Sequence, residues 1–527
     1  QISMNEPKNP EHAPRSGGRG GAPRSGGRTG GRSGAPRSGG GRAAQPGRAE
    51  PRSGAGQDAP QRPGARPHLR PSARTVAFEV LRAVNEADAY ANLLLPRAIE
   101  RAGLDTADAA LATELTYGTL RRQGYYDAVI ALASARAADR IDPPVLDALR
   151  LGAHQLLSTR VATHAAVNES VTLARTVSGQ STTGFVNAVL RTISRDTPEN
   201  WMQRVVDAAR SDDERLSLEY SHPVWIVRAF RRSLAAEGRA DELLDLLAAD
   251  NLAPSVTMIA LPGLADVPAG VERTAFSPYG YRLGGGDPEG IVRTSGGRIR
   301  VQDEGSQLAA LALTGATPVR PGERWLDLCA GPGGKTAVLA ADALRSGATL
   351  DANEVSPARA GLVRRAVAGV PLTVPVSEED GRERHINLPG AYDRVLVDAP
   401  CTGLGALRRR PEARWRKQPG DIPELAQLQQ ELFLAGFEAL APGGVLAYVT
   451  CSPHLAETTS VVAEARRVLG DAIEPIDTAT VIRRVAASEI DVVDNEADGH
   501  VQLWPHRQGT DAMFISLFRK VDSNPVA

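Results

Sequence analysis

The chain has 527 residues, 42% of them hydrophobic, which gives room for two or three domains and a substantial core. Its formal net charge is only −1, yet residues 1–70 hold 13 Lys+Arg against 4 Asp+Glu, leaving 48 against 58 in the remainder. A basic arm on a mildly acidic body points to a polyanionic partner for the arm. The three cysteines, at 329, 401 and 451, stand 72 and 50 residues apart, a spacing that offers neither a zinc pattern nor a disulfide framework. With no apolar signal core and no run long enough for a membrane span, the expectation is a cytoplasmic chain in a reducing compartment, with no metal and no membrane partner.

Residues 1–70 are of low complexity: APRSGGR occurs at 13–19 and 22–28, and APRSGGGR at 35–42. With almost no large apolar residues, this segment cannot offset its ordering entropy, and disorder is expected. Two readings stand for it: a Gly/Arg-rich arm that holds RNA by charge, or a solubilising tail.

From 71 to 205 the apolar residues recur at helical spacing. Ser72 is a candidate N-cap for a helix beginning near Thr75, and further amphipathic runs cover 92–102, 106–122, 124–135, 142–157, 164–177 and 182–194. The prediction is an all-helical bundle with Arg121, Arg122 and Arg191 on a charged exposed face and with His154 and His164 as structural histidines. Four phrases stand in order here: Tyr90-Ala91-Asn92, Leu115-Thr116-Tyr117-Gly118-Thr119-Leu120-Arg121-Arg122, His164-Ala165-Ala166-Val167-Asn168-Glu169 and Gly184-Phe185-Val186-Asn187-Ala188-Val189-Leu190-Arg191. They resemble the NusB-like RNA-binding domain that precedes the catalytic part of bacterial RsmB/Sun (Fmu) rRNA methyltransferases. The periodicity alone says only that the region is helical.

Residues 206–300 form a connecting region. A helical stretch at 226–249 leads into a Pro/Gly-rich part with short strand-like pieces such as Ser255-Val256-Thr257-Met258-Ile259, and Gly284-Gly285-Gly286-Asp287 reads as a loop. It looks like the small α+β subdomain of the same family. Val301-Gln302-Asp303-Glu304-Gly305-Ser306-Gln307 resembles the family's entry to the catalytic domain. From there to the end strands are expected near 324–328, 348–353, 372–376, 393–397, 445–450 and 513–518, with helices between most of them. Such alternation predicts a mainly parallel sheet covered on both faces, with ligands at the carboxyl ends of its strands.

The glycine loop lies at the first of those ends. Trp325-Leu326-Asp327-Leu328 reads as a buried strand, Gly331-Pro332-Gly333-Gly334 as a tight turn, and Lys335-Thr336-Ala337-Val338 as the opening of a helix. A Walker A loop would need glycine where Cys329 stands, and a Rossmann fingerprint would need glycine where Thr336 stands. Glu354, 21 residues after Gly333 at the end of the next strand, occupies the usual place of a carboxylate that grips ribose hydroxyls. The option left is a class I S-adenosylmethionine site, and the alternative is an ordinary strand-to-helix turn.

Two cysteines follow apolar strands. Asp393-Arg394-Val395-Leu396-Val397 runs into Asp398-Ala399-Pro400-Cys401, and Val445-Leu446-Ala447-Tyr448-Val449 into Thr450-Cys451-Ser452. A single free cysteine is most often a small core residue, but two at strand ends on one sheet edge make that reading less economical. The pairing of DAPC with a downstream TCS resembles the RNA 5-methylcytosine methyltransferases. With the CAGPGGK loop and the NusB-like phrases, the resemblance spans roughly 70–520. It implies S-adenosylmethionine as cofactor and Cys451 as the nucleophile that adds to C6 of cytosine, so that C5 gains electron density. It makes Cys401 the partner in proton removal and release, and Asp398 the group on the N3 edge of the base, beside the cofactor. Lys335 matches a family position at the edge of the active site.

For the cofactor, the backbone of Cys329, Ala330, Gly331, Pro332, Gly333, Gly334 and Lys335 is expected to cradle the methionine part. The resemblance assigns the ribose to Glu354 and the adenine to Asp380, which could instead be a turn residue before Gly381. The family usually has Asp at the ribose position. Glu354 offers the same two oxygens one methylene further out. After Cys401 come Arg408, Arg409, Arg410, Arg414, Trp415, Arg416 and Lys417, six cations and a tryptophan within eleven residues. They suit phosphate contacts and base stacking beside the active site, and the alternative is a solvated charged loop.

The whole reads as a multidomain protein: a basic arm (1–70), an all-α NusB-like bundle (71–205), a small α+β connecting region (206–300) and an α/β Rossmann-like methyltransferase domain (301–527). The expected activity is S-adenosylmethionine-dependent methylation of cytosine C5 in RNA, with 16S rRNA the first substrate. The rival readings are the same chemistry on tRNA or another RNA, and an RNA-binding, antitermination-type protein that no longer catalyses.

Overall fold

The computed structural model describes residues 71–86, 89–383, 388–494 and 499–521; the Gly/Arg-rich arm, expected to be disordered, lies outside them. The first described part is helical: α1 (Ala73–Glu86), α2 (Ala91–Ala102), α3 (Thr106–Arg121), α4 (Gln123–Ser134), α5 (Pro143–Ser158), α6 (Thr163–Ser178) and α7 (Thr183–Ile193). Local chemistry starts these helices where the sequence predicts. Ser72 Oγ accepts the Thr75 N–H at 3.2 Å, and Asp105 accepts the Asp108 N–H at 2.8 Å, each satisfying an orphan donor of a first turn. Pro143 opens α5 at the position where its missing N–H costs nothing. Phe78, Leu115, Tyr126, Leu149 and Leu190 form one core, each contributing about 1.5–3 kcal/mol by burial. His154 belongs to that core, its Nδ1 2.8 Å from the Tyr126 hydroxyl, and His164 is exposed on α6.

In the connecting region the predicted long helix is broken near Gly238 into Val224–Ala236 and Leu243–Ala249. Both pieces pack on Leu404, Leu407 and Trp504 of the catalytic part. Four antiparallel strands follow, β1 (Val256–Ala260), β2 (Glu272–Arg273), β3 (Gly280–Leu283) and β4 (Ile299–Val301), in the order β2-β3-β1-β4. With the helix Pro288–Thr294 they make the small α+β unit.

The large sheet contains β5 (Arg324–Asp327), β6 (Thr349–Asn353), β7 (Val376–Ser377), β8 (Tyr392–Asp398), β9 (Leu440–Thr450), β10 (Ile473–Ile476), β11 (His500–Gln502) and β12 (Phe514–Lys520). Its order is β10-β12-β9-β8-β5-β6-β7, with β11 paired to β12. From β9 to β7 the pairs are parallel, as the alternation of strands and helices predicts; β10, β11 and β12 add an antiparallel edge. Residues 473–476 and 500–502 show no strand signal of the expected kind. The strand expected at 372–376 shrinks to Val376–Ser377, because Pro371 and Pro375 cannot donate to the ladder.

The apolar runs of β8 and β9 reflect burial on both faces. Leu396, Ala447 and Val449 pack against the helices Glu304–Gly315 and Gly334–Ser346, while Val395, Val397, Leu446 and Tyr448 pack against Ile422–Ala439 and Thr459–Leu469. Arg394 interrupts this pattern and is itself buried. Glu323 at 2.8 Å and the carbonyls of Leu313 and Thr317 take up its guanidinium.

Candidate active site

The parallel order β9-β8-β5-β6 sets four strand ends side by side, and each delivers chemistry to one edge. β5 ends at Asp327, which is buried; its Oδ2 accepts the Thr336 hydroxyl at 2.7 Å, while its Oδ1 has no partner among the described residues. Desolvation first, then the charges of Asp398 and Glu354, push the Asp327 carboxyl up to about 7. A buried carboxylate with an open lone pair beside two further acids is a place where a cationic ligand would lower the free energy.

The turn that follows needs glycine for space. A side chain at Gly331 would begin 2.2 Å from Glu354 Oε2, and Gly333 combines φ 102° with a Cβ position 2.5 Å from Ala366. The loop is tied down by Leu328 N–H to Leu396 O (2.9 Å) and Ala330 N–H to Asn353 O (2.8 Å). Burial also raises the Cys329 thiol far above its ordinary range, helped by Asp327 and Asp398, which suits it to packing rather than attack.

Glu354, directly after β6, is buried and accepts the backbone N–H groups of Gly331 (3.1 Å) and Ser356 (3.0 Å). Arg359 lies over it, 3.4 Å from Glu354 Oε2, and donates to Gly331 O at 2.6 Å. Asn353 bridges the next loop by donating to Leu328 O and Glu379 O and accepting from Ser377 and Glu379 N–H. Asp380 stands beyond that bridge, held below the usual carboxylate range by its bonds to Arg382. The adjoining Gly381 backbone approaches Leu328 at the base of the glycine loop. Arg359 and Asn353 escape sequence reasoning because each acts through backbone carbonyls that only the fold brings near.

β8 ends at Asp398, whose Oδ2 accepts from Lys335 Nζ at 2.8 Å. Burial alone would lower the Lys335 ammonium, but Asp398, Cys451 and Asp327 outweigh it and hold Lys335 protonated. Three residues past Asp398, Cys401 Sγ lies 3.5 Å from Cys451 Sγ, the first residue after β9. The hydrogen bond from Cys401 lowers the Cys451 thiol below its ordinary value, with Lys335 and Arg410 adding to the effect against desolvation and Asp398. The same bond, with burial and Glu457, raises Cys401 well above its own. The geometry thus supplies two sulfurs within hydrogen-bonding distance of each other and a lysine–aspartate pair alongside, and the positive charges of Lys335 and Arg410 favour the thiolate on Cys451. Among the described residues no cluster of His, Cys, Asp or Glu could hold a metal ion, and no helix is long and apolar enough to cross a membrane.

The basic stretch after Cys401 departs from the expectation of a nucleic-acid surface. Arg414 is fully buried and donates to the carbonyls of Arg121 (2.9 Å), Ser221 (3.0 Å) and Asp250 (2.7 Å) and to Asn251 Oδ1 (2.8 Å). Arg121, expected on an exposed face, is buried beneath it. Trp415 sits on Gly124 of α4, so close that any side chain there would strike its ring. Arg416 donates to Val84 O at 2.7 Å and to Ala89 O, and Glu412 accepts the Ala91 N–H at 3.2 Å. Arg409 forms a two-pronged pair with Asp511. Arg408 donates to Gly509 O at 2.8 Å, Arg410 lies over the Tyr90 ring, and Lys417 is half-buried. Arg409, Arg414, Trp415 and Arg416 therefore join the catalytic part to the helical part and to the C-terminal loop; Arg414 and Arg416 spend their N–H groups on carbonyls and Arg409 on the Asp511 carboxylate.

Comparison with known proteins adds the lineage. Residues 316–519 match the family model for the 16S rRNA methyltransferase RsmB/F, and residues 71–195 match that of the NusB family. A Mycobacterium tuberculosis protein whose name states only a methyltransferase is 47% identical over 464 residues, covering 86% of this chain and 98% of that one. The ribosomal RNA small subunit methyltransferase B of Erwinia tasmaniensis is 30% identical over 467 residues, covering 85% and 98%. The crystal structure of PH0851 superposes with a TM-score of 0.71 at 23% identity over 86% of this chain and all of that one, a likeness of fold. With a NusB-family bundle ahead of a sheet whose strand ends gather two cysteines, a lysine–aspartate pair and a glycine loop, the chain belongs to the RsmB/F family of 16S rRNA methyltransferases.

Proposed function

We infer that this protein transfers a methyl group from S-adenosylmethionine to C5 of a cytosine in RNA, with 16S rRNA as the substrate, through a transient bond between Cys451 and C6. The observation that supports this most is the 3.5 Å approach of two sulfurs at neighbouring strand ends, beside the Lys335–Asp398 pair. Asp327, with its unpartnered oxygen, the narrow backbone at Gly331 and the carboxylate of Glu354 suit the amino, methionine and ribose parts of the cofactor; Asp380 is the candidate for its adenine. Bound there, S-adenosylmethionine supplies an electrophilic methyl group.

The residues of this chain do the rest. The Cys451 thiolate adds to C6, and the C5–C6 π electrons become available at C5. Asp398 meets the N3 edge and passes to N3 a proton drawn from the Lys335 ammonium, which neutralises the negative charge the thiolate brings to the ring; the proton returns the same way on release. Once the Cys451 sulfur is bonded to C6, Cys401 gives its own proton to solvent, and after methylation its thiolate accepts the C5 proton. The C–H electrons restore the C5–C6 double bond and expel the Cys451 sulfur. Arg408, Arg410 and Lys417, each only half-buried, are the phosphate contacts of this reading.

The test is methylation of isolated 16S rRNA by the purified protein with labelled cofactor, followed by mapping of 5-methylcytosine. Label appearing at cytosine C5 is the expected result. Label on another base or another atom would overturn the chemistry, label confined to tRNA would overturn the substrate, and no label in any RNA would overturn both.

A further inference from the structure

Two cysteines on adjacent strand ends keep a 3.5 Å separation only when the residues around them are fixed to one another. The β8–β9 ladder and the Gly405 N–H, which donates to Cys451 O at 2.9 Å, hold the two backbones, and a further tie comes from Glu457, six residues beyond Cys451 and wholly buried. Its Oε1 accepts the Thr402 backbone N–H at 2.7 Å and the Gln429 amide at 3.2 Å. Its Oε2 accepts the Ser452 hydroxyl at 2.7 Å and the Thr402 hydroxyl. Thr402 follows Cys401 and Ser452 follows Cys451, so one carboxylate binds both motifs by their next residue. The same Gln429 amide donates to Pro400 O at 2.9 Å, just before Cys401, and the Tyr448 hydroxyl donates to Glu457 O at 2.8 Å from the strand that ends at Cys451. Burying a carboxylate among neutral donors costs more than burying an amide or an apolar group, so packing alone is poorly served by a glutamate at this place.

We propose that Glu457 is a positioning residue for the cysteine pair: it holds Cys401 Sγ within hydrogen-bonding distance of Cys451 Sγ, and so sets the reactivity of Cys451. The groups that face Cys451 are Cys401, Asp398, Lys335, Arg410 and Arg409. Lys335 and Arg410 favour the thiolate, burial and Asp398 oppose it, and the bond from Cys401 makes the largest difference. If the two strand ends drift apart, that bond weakens and Cys451 holds its proton to higher pH. The catalytic consequence rests on the proposed function; the effect on the thiol rests on the 3.5 Å approach of the two sulfurs and the charges around them.

The experiment uses the full chain without RNA. Alkylation of Cys451 by iodoacetamide is followed against pH by peptide mass spectrometry, alongside methyl transfer to RNA and cofactor affinity. In Glu457→Ala the alkylation profile moves up by about one pH unit. Methyl transfer then loses about a hundredfold in kcat, with KM for RNA and cofactor affinity unchanged. Glu457→Gln, which keeps an acceptor for the Thr402 N–H, lies between that variant and the unaltered chain. Should Glu457→Ala fail to fold, Ser452→Ala combined with Thr402→Val removes both hydroxyl bonds and gives a smaller shift in the same direction. An unchanged profile in a folded, cofactor-binding variant overturns the proposal. An unaltered chain that methylates no RNA would overturn the proposed function and leave the alkylation result to judge Glu457 separately.

Discussion

Lys335 and Arg414 are both buried cations, and their surroundings differ in kind. Lys335 has one hydrogen-bond partner among the described residues, the Asp398 carboxylate, and neighbouring anions raise its pKa. Arg414 gives its N–H groups to three carbonyls and one side-chain amide, and desolvation, with Arg121 and Arg122 nearby, pushes it down to about 9. The lysine meets a single carboxylate within an anionic field, as the proposed function asks of it, whereas the arginine spends its N–H groups on carbonyls of separate segments. Partner count and sign of the local field therefore separate a reagent from a rivet, where charge and position along the chain do not.

The most drastic way to probe the reagent side is to remove its sulfur. Cys451→Ala should lower methyl transfer by about four orders of magnitude and abolish the covalent RNA adduct, whereas Cys401→Ala should slow attack, since Cys451 loses its bond to the second sulfur, yet still accumulate that adduct on denaturing gels because release fails. Reversed phenotypes would exchange the two roles. Next in size, Lys335→Met should cut kcat by about 10²–10³-fold with thermal stability nearly unchanged, measured in single-turnover methyl transfer. Arg414→Met should do the opposite: a loss of about 3 kcal/mol in denaturant unfolding, from four stranded acceptors, with normal cofactor binding. If Arg414→Met instead weakened RNA binding at unchanged stability, the contrast between the two cations would collapse.

A pH experiment sharpens the reagent side further. The Asp327 carboxyl, up at about 7 in the folded protein and near 3.8 in the unfolded chain, binds protons more readily when folded. Its contribution is thus full below the unfolded value and is lost as pH rises from about 4 towards 7. Asp327→Asn should stabilise the cofactor-free protein by about 1–3 kcal/mol at pH 7.5, the gain shrinking as pH falls to 5, while cofactor binding is lost in calorimetry. The smallest effect belongs to Lys417→Ala, which should reduce the slope of log affinity for RNA against log salt by about one and leave specificity alone. No change in slope would remove Lys417 from the RNA path.

Much of this contrast was legible in the chain itself. The runs Val395-Leu396-Val397 and Val445-Leu446-Ala447-Tyr448-Val449 read as strands because both faces are buried, and that places Cys401 and Cys451 on one sheet edge. Tight spacing around Gly331 and Gly333 reads as a loop of close approach for the same local reason. The fate of Arg414 is not local: its acceptors belong to residues 121, 221, 250 and 251, and no pattern within 408–417 could reveal them. Glu457 looks like any helix-start acid in CSPHLAE until Thr402, fifty-five positions earlier, is folded onto it.

The contacts of Glu412, Arg414 and Arg416 with α2, α3 and the end of α1 begin eleven residues after Cys401. A truncation starting at residue 301 would strip a buried guanidinium of its acceptors and bare Leu404, Leu407 and Trp415 to water. Bundle and methyltransferase domain are thus fastened by one continuous run of buried contacts, and the segment that carries Cys401 cannot be excised from the helices without unmaking its own interior.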